Sequence, residues 1–384
     1  MIEKYYDGAI EQVAAGLGTV EKNYLLVRYS GQFSVENLND TKQLEKNEDI
    51  FVQVHEFETG EITCAYEPYL TMICDGFRRY MTGTFEEFME TCDVYYLHRP
   101  VLLGYFNQDN TGREEIILLD EVAYEQERML AALERMLCAI ADRHPVLFVL
   151  NRFQLASKST MQLTARFLKC ENCNIGLVLG VSDIQAMPEF LVPDWEMLYE
   201  TLDDGSKIYH IGNSGRKKEE TIDDEKYVDY GSEKVYRKLQ NMVEFLDFDQ
   251  AAYYLETIER KIKFDNLLVD DAARFRMWLL FVKVSILRQD IPKALEICED
   301  LEKIHLAGKE EECAYEQDYL IATAYMYQGK LKEALEMAGE TYRIAGKMSD
   351  DYRMFLSELL EAKIQMSGWY NIFFCAQDVK IKES

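Results

Sequence analysis

The stretch "PVLFVLNRFQLASKSTMQLTARFLKCENCNIGLVLG", residues 145–180, carries two apolar runs separated by a helical period. The runs "PVLFVL" (145–150) and "NIGLVLG" (174–180) are almost wholly apolar instead of alternating. A strand of that kind is covered on both faces, as the central strands of a parallel sheet are. Between them, "SKSTMQLTARFLKC" (157–170) has the spacing of a helix with one apolar face. Strand, helix and strand in this order predict a parallel crossover unit.

The same grammar extends outward. Further β-rich runs are "YLLVRY" (24–29), "IFVQVH" (50–55) and "KIYHIG" (207–212), and "YEQERMLAALERMLCAIADR" (124–143) reads as a helix. Residues 1–214 are therefore expected to form an α/β parallel-sheet domain. The charged segment "GRKKEETIDDEKYVDYGSEK" (215–234) changes the composition, and residues 215–231 read as a polar linker or a residual lid.

From 232 to 384 the period is helical throughout. Near-repeats occur at "EFLDFDQAAYYLETIERKI" (244–262), "LRQDIPKALEICEDLEKI" (287–304) and "YQGKLKEALEMAGETYRIA" (327–345). Aligning Ala252, Ala294 and Ala334 gives intervals of 42 and 40 residues, and a fourth unit is expected to begin at "MSGWYNIFFCAQD" (366–378). Helical hairpins of this kind cannot bury their apolar faces alone, so they stack into an all-α solenoid.

Composition bounds the partners. The 384-residue chain has a formal net charge of −27, which repels nucleic acid and anionic lipid. No stretch approaches eighteen uninterrupted apolar residues, so no membrane partner is expected. The N-terminus lacks a secretory pattern, and nine cysteines scattered among apolar positions read as reduced thiols. A cytoplasmic location follows as the expectation. Cys170 and Cys173 form one Cys-x-x-Cys in a helix-to-strand loop, without the second ligand pair a structural zinc site needs. The histidines lie far apart in sequence, and His55 and His144 read as edge or surface packing. No cofactor and no metal are expected.

The segment "RHPVLFVLNRFQLASKSTMQLTARFL" (143–168) resembles the second nucleotide motif of the STAND branch of the AAA+ ATPases. "VQVHEFETGEITCAYEPYLTMICDGF" (52–77) is similar to that family's second strand and following helix, and "SGQFSVENL" (30–38) falls where its phosphate loop belongs. The resemblance implies a P-loop-like domain over about residues 5–212. It also implies that the chemistry is lost. A working loop is G-x-x-x-x-G-K-[ST], with backbone N–H groups and a lysine on phosphate and a hydroxyl on Mg²⁺. Gly31 matches the first glycine, but Glu36, Asn37 and Leu38 replace the second glycine, the lysine and the hydroxyl residue. A carboxylate at that place repels a triphosphate. Where the metal-holding and catalytic acids should end the strand, Asn151 and Arg152 stand, and Ser182 followed by Asp183 represents the sensor of the next strand.

"GKLKEAL" (329–335) resembles tetratricopeptide repeats, here with a longer period. That resemblance implies a protein or peptide partner for the helical half, with Tyr325, Tyr327, Trp369 and Tyr370 as candidate anchors. The expected function is a non-catalytic regulatory or scaffold protein, a pseudo-ATPase domain joined to a protein-binding array. Two other readings stand beside it: the sensor portion of a larger LuxR-like transcription regulator, and an α/β enzyme acting on a nucleotide-linked substrate.

Overall fold

A computed structural model describes residues 2–17, 24–29, 49–58, 60–108, 122–170, 174–182, 187–203, 208–211, 229–265 and 267–382; at 2–6, 203, 208–211 and 368–382 only the backbone is described. The chain divides into two compact units, one of residues 1–228 with 241–250 and the other of residues 229–240 with 251–384.

In the first unit, strands β1 (Tyr24–Tyr29), β2 (Phe51–Glu56), β3 (Val146–Asn151), β4 (Ile175–Ser182) and β5 (Ile208–Ile211) form one sheet in the order β2-β3-β4-β1-β5. Every neighbouring pair is parallel, with Val149 and Leu25 both opposite Val178. β3 is buried at all its positions and β4 at all but the last, as their unbroken apolar runs require.

Side chains of β3 alternate between two packed faces. Leu147 and Val149 join Ala9, Ile10 and Val13 of α1 (Ile2–Gly16), together with Leu25, Val27, Tyr29 and Val178. Phe148 points the other way, edge-on to Tyr69 of α2 (Tyr69–Tyr80) at 4.7 Å between ring centres. Tyr69 also meets Phe167 of α6 (Lys158–Lys169) at 5.4 Å, and its hydroxyl bonds Thr164 of the same helix at 2.5 Å. The sheet is thus sandwiched by helices. Between α2 and α6 (Lys158–Lys169) the chain forms α3 (Phe85–Thr91), α4 (Arg99–Asn107) and α5 (Val122–Ala141), and α7 (Val192–Asp203) precedes β5. α3 opens with a complete capping box. Glu87 N donates to the Thr84 hydroxyl, and Thr84 N donates to Glu87 Oε2.

Residues 241–250 fold with this first unit, although their sequence belongs to the first helical near-repeat. Ala65 N donates to Asn241 Oδ1, and Gln126 Nε2 donates to the Leu246 carbonyl. Phe245, 1% exposed, lies edge-on to Tyr66 and Tyr105. The α6 N-terminus is completed from the same segment, with Ser159 N donating to Asp247 Oδ2 at 3.0 Å.

The helices of the C-terminal part are α8 (Glu233–Glu244) and α9 (Phe248–Phe264), of which residues 241–244 and 248–250 belong to that segment, then α10 (Asp271–Leu287), α11 (Ile291–Leu301), α12 (Glu310–Tyr327), α13 (Leu331–Met348) and α14 (Asp351–Lys382). Three of its turns repeat one geometry. Leu246, Gln289 and Gly329 have left-handed φ of 65°, 63° and 80°. Five residues after each comes an alanine with no exposed surface, Ala251, Ala294 and Ala334. The repeat register is therefore set by Ala251, not Ala252, and the intervals become 43 and 40 residues. Sequence could not separate the two because Ala252 is also buried, at 1%.

The fourth unit expected at 366–378 is not formed. α14 runs unbroken through Gly368, since a lone glycine costs a helix only about 1 kcal/mol when no cap or proline accompanies it.

Candidate functional site at the carboxyl ends of the strands

The connection from β1 to β2 passes β4 and β3 in one direction, whereas that from β4 to β5 passes β1 in the other. In a parallel sheet such a reversal opens a crevice at the carboxyl ends of the strands, here between β1 and β4. The residues that end the strands around it are Tyr29, Glu56, Asn151 and Ser182.

These side chains close on one another. The Tyr29 hydroxyl donates to Asn151 Oδ1 at 2.7 Å across the width of β4, and the two residues are 1% and 0% exposed. Burial pushes the Tyr29 phenol up to about 12, with Asn151 and Arg152 working against that shift, so it stays a proton donor at neutral pH. Arg152 turns out of β3 in the left-handed region (φ 53°, ψ 41°) and opens the 3₁₀ turn Phe153–Leu155. Its Nε lies 3.5 Å from Glu56 Oε1, so the guanidinium is already neutralised at the end of β2. Gln154, 4% exposed, accepts from Ser182 N through Oε1, tying the turn after β3 to the end of β4.

The arrangement packs the ends of β1, β3 and β4 against one another. Mg²⁺ wants anionic oxygen, and Asn151 offers a neutral amide that is enclosed and bonded to a tyrosine. Among the described residues no group of three or more His, Cys, Asp or Glu side chains could hold a metal ion. Asn151 and Arg152 stand where the sequence reading put them, at the end of β3. Gly31, Glu36, Asn37 and Leu38 lie outside the described residues, as do Asp183 and Cys173.

Sequence reasoning missed Tyr29 and Gln154. The signal for Tyr29 was available, since an aromatic that ends an apolar strand is buried against its neighbours. Gln154 carried no signal, because only the fold brings it to β4. The reading of histidines as edge or surface groups fits His55 and His144, whose rings pack on Phe57 and Tyr80. It overlooked His98, 0% exposed with Nε2 3.1 Å from Glu125 Oε2. Glu125 also meets Arg128, which lies over the rings of Tyr95 and Tyr124. His98 and Glu125 are enclosed from solvent, and this cluster joins α4 to α5.

A groove of about 610 Å³ runs along α5, α6 and α7, lined by Gln126, Glu127, Leu130, Glu134, Arg166 and Met197 among others. Of its lining cations, Arg166 and Lys169, the first is paired with both Glu127 and Glu134. Beside it Asp247 is buried, and desolvation holds its carboxyl above the ordinary range against the pull of Ser159 and Lys158.

In the helical unit, Tyr325 and Tyr327 are half-buried and pack against a core of Ala322, Met326, Ala334, Ala338, Leu360 and Ile364. Lys330 Nζ sits 5.3 Å from the Tyr325 ring centre. Trp369 and Tyr370 lie within the backbone span of α14, and their side chains are outside the described ones. Exposed aromatic and aliphatic residues of the helical unit include Tyr352, Phe355, Leu359 and Met366 of α14, and also Tyr253, Phe264, Leu268 and Tyr342. Among the described residues no helix is long and apolar enough to cross a membrane.

No protein-family model matches the chain, and no curated protein matches it.

Proposed function

We propose that this chain is a non-catalytic regulatory or scaffold protein, a P-loop-like pseudo-ATPase unit joined to a tetratricopeptide-like array that binds another protein or peptide. The observation that carries the first half is the bond between Tyr29 and Asn151. A phosphate-handling sheet needs a carboxylate for Mg²⁺ at the end of β3 and open space before it. This chain has a buried amide capped by a phenol. The STAND-type reading draws support from the sheet order, in which β1, the strand that would lead into the phosphate loop, lies between β4 and β5. The tetratricopeptide-like reading draws support from the three left-handed turns, each followed by a fully buried alanine. Small residues at such places let paired helices approach closely.

The test is calorimetric titration of the full chain with ATP and ADP, with and without Mg²⁺. No heat at millimolar nucleotide is expected. Mg²⁺-dependent binding in the micromolar range that weakens on replacing Asn151 would sink the pseudo-ATPase reading.

A further inference from the structure

Residues 241–250, part of the first unit, bring two carboxylates to the α6 N-terminus, and only one of them meets a cation. Asp249 Oδ2 accepts from Lys158 Nζ, and Gln250 Oε1 accepts from Lys158 N at 3.4 Å. Asp247 Oδ2 accepts from Ser159 N at 3.0 Å and enters no ion pair among the described residues. Asp247 is 4% exposed, so water hardly reaches it. An ionised carboxylate enclosed in that way, with no cation in contact, is costly unless it takes up a proton.

The charges around it do not balance. Lys158 is acted on by Asp249, by Asp194 of α7 and by Asp247, so one lysine faces three aspartates. Asp194 is 8% exposed, and its Oδ1 accepts from Gln162 Nε2, a neutral donor. On another side lies Tyr66, whose N donates to Ser159 Oγ and whose phenol is pushed up by burial and by Asp247. Arg166 and Glu127 also act on Tyr66, but they pair with each other. Tyr105 of α4 and Gln126 of α5 complete the seat of the segment and are uncharged. Against this excess, the positive end of α6 favours a negative charge at Ser159 N. Burial is the larger effect, and it holds the Asp247 carboxyl above the ordinary range.

We propose that residues 241–250 form a proton-sensitive clasp, in which Asp247 takes up a proton as the segment seats on α6, so that acid tightens the seat and rising pH loosens it. Asp249 holds the segment through Lys158, whereas Asp247 sets its response to pH. Released from the fold, Asp247 returns to an ordinary value near 3.8. Below that pH both states carry the proton and the seat is strongest. Above it, release of the segment sheds the proton, and the seat weakens by up to about tenfold per pH unit. The dependence ends once the seated carboxyl is itself ionised.

The test is hydrogen exchange of the full chain from about pH 4.5 to about pH 7.5, corrected for intrinsic rates and read in peptides covering 157–161 and 241–250. Wild-type protection is expected to fall in both peptides together as pH rises. Asp247→Asn keeps an oxygen for Ser159 N and removes the titration. It should abolish the slope and leave protection at the upper pH no lower than in wild type. Asp249→Asn should lower protection throughout and keep the slope.

Flat wild-type protection would overturn the clasp, whether or not the variants fold. A slope that survives Asp247→Asn would assign the proton to another group and overturn it equally. Protection lost in Asp247→Asn at every pH would mean that the α6 terminus needs the charge, and that too would sink the idea. Carboxyl ¹³C resonances give a second reading. The Asp247 signal, identified by its absence from the asparagine variant, should titrate above the ordinary aspartate range, and an ordinary midpoint would refute the proposal.

Discussion

The Tyr29 hydroxyl and Asn151 Oδ1, 2.7 Å apart, join the ends of two strands that are not neighbours, because β4 lies between them. The bond spans the place where the sheet reverses direction and fills it with an aromatic side chain.

Tyr29→Phe keeps the ring and removes the hydroxyl. A buried hydrogen bond lost from an amide costs about 1–2 kcal/mol, so the variant should unfold at lower urea with an unchanged m-value. Nucleotide affinity should not change. A neutral effect on stability would mean that Asn151 repairs the loss through its other contacts.

Gly176 occupies β4 where α1 crosses the sheet. A Cβ built there would come within 2.7 Å of Val13 Cγ1 and 3.1 Å of Leu147 Cδ1. Gly176→Val adds more than that one carbon, and overpacking of this kind costs about 1–3 kcal/mol. The expected readout is a lower thermal midpoint of the first unit with far-UV circular dichroism retained. Gly176→Ala should fall between wild type and valine.

The strands were legible in the sequence for a physical reason. β3 and β4 are enclosed on both faces, so no position before their final Asn151 and Ser182 is polar and the run cannot be mistaken for a surface element. Helical hairpins were legible from their alanines, yet their register was not, because Ala251 and Ala252 are both buried and only the left-handed Leu246 decides between them. The docking of residues 241–250 on the first unit was illegible. "EFLDFDQ" has the same helical period whether its turn faces solvent or meets the amides of α6. Tyr325 and Tyr327 face the core of their hairpin, whereas Phe355 and Leu359, which look like core in sequence, lie outside.

Phe245 tests the segment 241–250. It is 1% exposed, with ring centres 6.3 Å from Tyr66 and 5.7 Å from Tyr105. Phe245→Ala should cost about 3–5 kcal/mol, the ordinary range for removing a buried ring. Hydrogen exchange should show the loss in α2 and in the N-terminal turn of α6, elements that the sequence alone would not couple to residue 245. Faster exchange confined to the helical unit would mean that the segment does not support the first.

Asp318 on α12 gives the chain a defined response to acid. Burial, then the nearby Glu340 and Glu302, raise its carboxyl from 3.8 to about 6. A carboxyl whose folded value is raised opposes folding when ionised. That cost is complete above about pH 6, falls as pH drops toward 4, and vanishes below the unfolded value. Two pH units at full weight are worth about 3 kcal/mol, and solvent screening of a half-buried group reduces this to about 1–2. Asp318→Asn should therefore raise the thermal midpoint of the helical unit at pH 7 and leave it almost unchanged at pH 4. Parallel midpoint curves for wild type and variant across that range would show that Asp318 ionises normally and that its acidic neighbours are screened from it.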